Sequence, residues 1–159
     1  MSQLTALLSC LNQENTLVLE FTAALETETT LLLDRNAIKE LQELTTRKTE
    51  LAEQLTQLSQ QRDALLAEMG LPAGHAGTNE AVGHSSELTA SWETLLSNVD
   101  VAKEINSRNA MLIDISLRYA QESLETLRKI TGVDNLGTYT AQGKGARPAL
   151  GTNKPIIAS

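Results

Sequence analysis

The sequence predicts an all-α fold: long antiparallel helices in a coiled-coil-like bundle of three, or of four if the first break is a kink, followed by a flexible C-terminal tail. Three observations predict it. Aromatic residues make up only 3% of the chain while Leu, Ala, Glu, Gln and Thr dominate, a bias towards helices packed through aliphatic side chains. A β-sandwich would use more Val, Ile, Tyr and Phe. Apolar residues recur at helical spacing from Leu4 to Ile130, and glycine and proline gather in two places only, at 70–83 and from Gly132 onwards. With 159 residues the chain fits one domain.

The first helix is expected over about 3–33. Leu4, Leu11, Val18, Leu25 and Leu32 lie seven apart, with Leu7, Leu8 and Phe21 widening the stripe. Ser2 can cap it by offering its side-chain oxygen to first-turn N–H groups. Asp34, Arg35 and Asn36 then interrupt the pattern. Asp and Asn side chains compete for backbone hydrogen bonds, which predicts a hairpin turn or a sharp kink.

The second helix, about 36–69, carries the clearest heptad. Leu44, Leu51, Leu58 and Leu65 mark one position; Leu41, Lys48, Leu55, Arg62 and Met69 mark the other. The two cations on the seam are expected to lay their stems on the stripe and extend their charge to water, or to select register or partner. Gly70 and Pro72 end this helix. The segment 70–85, with both histidines, His75 and His84, reads as a mobile loop.

Ser85 or Ser86 can cap the third helix, about 86–131, whose stripe begins with Leu88, Trp92, Leu95, Leu96 and Val99. Trp92, the lone tryptophan, is expected to anchor the bundle. The stretch from Val101 to Ile130 continues the stripe but places Asn106 and Asn109 where core residues are expected. Gly132 supplies the C-terminal stop. Residues 1–132 thus read as a helical bundle domain and 133–159, with glycine or proline every few positions, as the tail.

Charge and composition exclude several classes. A net charge of -7 without a basic run argues against nucleic-acid binding and for protein partners. Between Ser2 and Leu33 there are four glutamates and no cation, whereas the end of the chain beyond Asp134 carries only Lys144, Arg147 and Lys154. Cys10 is the only cysteine, which excludes an intramolecular disulfide and fits a packing residue in a cytoplasmic protein. No secretory leader and no apolar run of membrane-spanning length is present, so neither general secretion nor membrane insertion is expected. The two histidines lack a third ligand cluster, and no phosphate loop, nucleophile elbow or Cys–His pair occurs. The expectation is a binding protein with no catalytic residues, cofactor or metal.

The run Asn106, Ser107, Arg108, Asn109, Ala110, Met111, Leu112, Ile113 is similar to the N-x-x-N-G-x-L-I motif of the FlgN family of bacterial flagellar export chaperones. The likeness extends upstream to Lys48, Leu51, Leu55, Leu58 and Arg62 and to Trp92 and Leu95. Downstream it extends to Leu124 and Leu127 and to Tyr139, Ala141, Gln142 and Gly143, covering nearly the whole chain. Ala110 departs from the family's glycine, a small residue still compatible with close helix approach.

The resemblance implies a cytosolic, ATP-independent type III export chaperone. Its clients would be the hook-filament junction proteins, whose C-terminal helical segments it holds against premature assembly and delivers to the cytoplasmic domain of the export gate. Carried over, client binding falls on Asn106, Asn109, Leu112, Ile113, Leu117, Ala120, Leu124 and Leu127, and gate docking on Tyr139. The alternative reading of the stripes is a structural coiled-coil protein that uses them for self-association.

Overall fold

The computed structural model describes residues 2–132 and contains, among them, four helices and no strand. These are α1 (Gln3–Leu32), α2 (Ile38–Glu68), α3 (Gly74–Val82) and α4 (Ser86–Thr131). By internal packing the chain divides into two units, Met1–Ile113 and Asp114–Ser159.

The helix ends follow the capping chemistry of the sequence. Ser2 Oγ accepts the Thr5 N–H at 3.2 Å, and Ser85 Oγ accepts the N–H groups of Glu87 and Leu88 at 3.2 and 3.3 Å. Between α1 and α2 the Asp34 side chain accepts the Asn36 N–H at 2.9 Å, so the interruption is a turn that reverses the chain. After α2, Gly70 takes φ 75°, its N–H reaches Ala67 O at 3.0 Å and the Leu71 N–H reaches Leu66 O at 2.9 Å. Both bonds together make a Schellman stop, which requires the left-handed residue that glycine provides.

Within the Met1–Ile113 unit, α1 and α2 form an antiparallel hairpin, tied by Glu14 to Arg62 at one end and Glu28 to Lys48 at the other. The first part of α4 runs alongside α1 in the same direction: the Asn15 side chain bonds Ser91 O and Asn98, and Asn109 bonds Leu25 O further along. The main core joins Leu7, Leu11 and Val18 of α1, Leu66 of α2, Ala81 and Val82 of α3, and Leu88, Trp92 and Leu95 of α4. Cys10 is buried beside it, its thiol donating to Leu58 O at 3.3 Å. Burial, followed by the Glu14 carboxylate, pushes this thiol up to about 11, so it stays protonated and unreactive at neutral pH.

The structure corrects the expected loop at 70–85. Residues 74–82 are helical, and Thr78, Ala81 and Val82 of α3 are buried. The helix has no side-chain cap of its own; Asp63 on α2 accepts the Gly74 N–H at 2.9 Å instead. Its histidine is part of the fold, since the His75 ring lies 5.3 Å from that of Trp92. Gly77 makes the packing achievable: a Cβ on that residue would sit 1.6 Å from Pro72 O. Gly77→Ala is therefore expected to destabilise the protein by about 1–3 kcal/mol, because backbone must move, despite the better helix propensity of alanine. Gly83→Ala, where the added Cβ meets only ordinary contact at 3.4 Å, serves as the near-neutral control in urea unfolding.

Candidate functional site

Asn109 lies on the face of α4 that meets α1 and is 1% exposed. Its Nδ2 donates to Leu25 O and to Glu28 Oε1, both at 2.9 Å, and its Oδ1 accepts from Thr29 Oγ1 at 2.6 Å. Glu28 is itself buried and holds Lys48 Nζ at 3.0 Å. One amide thus joins α1, α2 and α4 through a polar knot in which both amide donors and the carbonyl are used. Asn106 behaves differently. It is exposed at the edge of a groove, which corrects its expected core position: three residues turn the helix by about 300°, which leaves Asn106 rotated about 60° from Asn109 and on the groove side of the stripe that faces α1.

Lys48 and Arg62 depart from the first of their two expected roles, that of extending charge to water. Rather than carrying charge out to water, they meet carboxylates sunk in the α1–α2 seam, Glu28 and Glu14, at 3.0 Å each. The four side chains are only 6–20% exposed. A carboxylate buried this far requires a partner, and the seam positions on α2 supply a cation to each. Burial raises the Glu14 pKa and Arg62 opposes that rise. Arg62 also lies over the Trp92 ring, 5.2 Å from its centroid.

Leu112 is half-buried and Ile113 is 41% exposed. In the Asp114–Ser159 unit, the described part is helix, and Leu117, Leu124 and Leu127 are 59%, 47% and 49% exposed. Ala120 is exposed as well. Ile113, Leu117, Ala120, Leu124 and Leu127 recur at alternating spacings of four and three, which sets them in one ladder along α4. The charges flanking the ladder are spent on surface pairs such as Asp114 with Arg118 at 2.6 Å. Tyr139 lies outside the described residues.

Sequence reasoning missed four neighbours of the ladder, Met111, Ile115, Tyr119 and Ile130, each more than half exposed. They sit off the heptad, and the available signal was the density of apolar residues all round this stretch. It also missed a groove between α2 and α4 with α1 as its floor. Two hollows of about 290 and 510 Å³ share Val18, Leu55 and Val99 and so adjoin along one channel, the larger of them also lined by Glu14, Arg62 and Trp92. No single helix stripe reveals a channel that three helices line.

Among the described residues, no three His, Cys, Asp or Glu side chains gather as a metal site, and no helix is long and apolar enough to cross a membrane. What the arrangement offers is shape and apolar surface. The family model for FlgN protein matches residues 1–147. No curated protein and no solved structure gives a match.

Proposed function

This chain belongs to the FlgN protein family, whose role is flagellar export chaperoning, and we propose that it holds the C-terminal helical segments of the hook-filament junction proteins in the cytoplasm before their export. The observation that carries this is the exposed ladder from Ile113 to Leu127. A junction protein's terminal helices must be apolar enough to pack into a filament, so before export they are aggregation hazards. An amphipathic helix laid along the ladder hides both surfaces at once, by the helix-in-groove mode of recognition. Covering each leucine is worth up to about 1.5–3 kcal/mol before ordering costs, enough for micromolar, reversible holding without ATP.

Leu112, Ile113, Leu117, Ala120, Leu124 and Leu127 supply the contact, and Asn106 borders it as a polar marker. Asn109 contributes from within, by fixing α4 on α1. Titration calorimetry with a junction protein's C-terminal segment tests the reading. Leu117→Asp with Leu124→Asp is expected to weaken binding about 100-fold while circular dichroism stays unchanged, because both side chains are about half exposed and lie outside the buried core. No binding by the unaltered protein at micromolar concentrations would end the proposal. A large stable oligomer in light scattering, without client affinity, would support self-association instead.

Delivery is assigned to Tyr139, whose amphipathic ring suits a docking contact. For Tyr139→Ala the expected outcome is unchanged client affinity with reduced binding to the cytoplasmic domain of the export gate. Equal gate affinity of the two proteins would remove that role.

A further inference from the structure

The channel between α2 and α4 is a second apolar surface, separate from the ladder. Its floor and walls present Val18, Phe21, Leu55, Val99 and Ala102, none of which is charged, and it runs along α4 from Trp92 to Asn106. At 1.5 Å per residue that is ~20 Å, about four helical turns. Helices α2 and α4 each lie against α1 here, and a helix placed between them would complete a four-helix arrangement.

The charges at the channel select among occupants. Lys103 stands on its rim and makes no ion pair among the described residues. Towards the other end Arg62 has a buried Nε with no hydrogen-bond partner, although its Nη1 is engaged by Glu14. Lys103, exposed and without an ion pair among the described residues, therefore asks an incoming helix for a carboxylate.

We propose that this channel seats an amphipathic helix of the export client, about four turns long, with aliphatic residues on its buried face and a carboxylate directed at Lys103. The inference rests on the chaperone reading above and adds a contact surface to it. Seating a second client helix here shields more apolar client surface than one ladder can, and the carboxylate sets which way the helix lies.

The test uses the full-length protein and a junction protein's C-terminal region as the probe. Ala52→Phe with Ala102→Phe fills the channel from its two walls, at one exposed and one half-buried position. This double variant is expected to weaken the probe by about 10-fold or more, and Lys103→Glu to weaken it in the same direction, with urea midpoints retained. Trp92, which lines the channel and is the only tryptophan, should change its emission when a tryptophan-free probe binds the unaltered protein.

Undiminished affinity of the channel-filled variant, beside loss in Leu117→Asp with Leu124→Asp, overturns this inference and leaves the ladder reading standing. Failure of the unaltered protein to bind overturns both. Two rival occupants have their own readouts. A dimer in sedimentation equilibrium that the filling variant dissociates assigns the channel to a second copy. Hydrogen-exchange protection of residues 133–159 in the free protein that the variant removes assigns it to the chain's own end. Either result overturns the proposal.

Discussion

Trp92→Ala is expected to cost about 3–5 kcal/mol, a large part of the stability of a domain this size. The indole is 4% exposed and lies in the core formed by α1, α2, α3 and α4, so its removal leaves a void that all four helices border. Its losses go beyond area. The ring carries the Arg62 guanidinium on one side and the His75 ring at 5.3 Å, and its Nε1 donates to Asn79 Oδ1 at 3.3 Å. Because His75 and Asn79 both belong to α3, that short helix should loosen first. Urea unfolding measures the total, and hydrogen exchange at 74–82 tests the order. Trp92→Phe keeps the apolar volume but not the Nε1 donor, and is expected to recover more than half of the loss.

Arg62→Met is expected to cost a further-reaching 3–5 kcal/mol, roughly what removal of one partner from a buried ion pair costs. Glu14 is 6% exposed on its side chain and would be left without its cation. Replacing both residues, Glu14→Leu with Arg62→Met, is expected to restore most of the loss, because two apolar side chains of similar volume satisfy the seam as well as a paired charge does. Recovery of less than a third would mean that the pair is worth more than its desolvation.

The single variant also carries a pH signature. Burial already raises the Glu14 pKa in the folded protein, and losing Arg62 removes the attraction that opposes it. A carboxyl whose folded pKa lies above its unfolded value is bound more tightly to its proton in the native state. The folded form of Arg62→Met is therefore best off below the unfolded pKa, about 4, and its deficit grows as pH rises towards 7. Unfolding midpoints of variant and parent should converge at acid pH and separate near neutrality.

The long helices were legible because their signals are local and repeated: a leucine every seven residues, Ser2 and Ser85 at starts, Gly70 and Gly132 at stops. The turn at 34–36 was legible for the same reason. Helix α3 was not, since its N-terminus is satisfied by Asp63 from α2 and its apolar face is formed only against Leu66 and Trp92. A window of nine residues containing two glycines shows neither. The paired state of Lys48 and Arg62 was hidden likewise, because a seam cation looks the same whether or not a glutamate on another helix awaits it. Of the candidate site, the ladder residues were legible as a heptad. Their exposure was not, because a stripe reads alike whether another helix covers it or not.

Heptad leucines are nearly interchangeable, so the α1–α2 hairpin has neighbouring misaligned forms that bury almost the same oil. The two sunken ion pairs remove that degeneracy. Glu14 and Glu28 stand two heptads apart on α1, as do Lys48 and Arg62 on α2. Sliding one helix by a single heptad sets the carboxylates against Leu41 and Leu55 in one direction, or Leu55 and Met69 in the other. Each misalignment strands two buried anions at a cost of several kcal/mol apiece. During folding, hairpins caught one heptad out would open again and retry, so the acids and bases act as a proofreading step for a repetitive sequence.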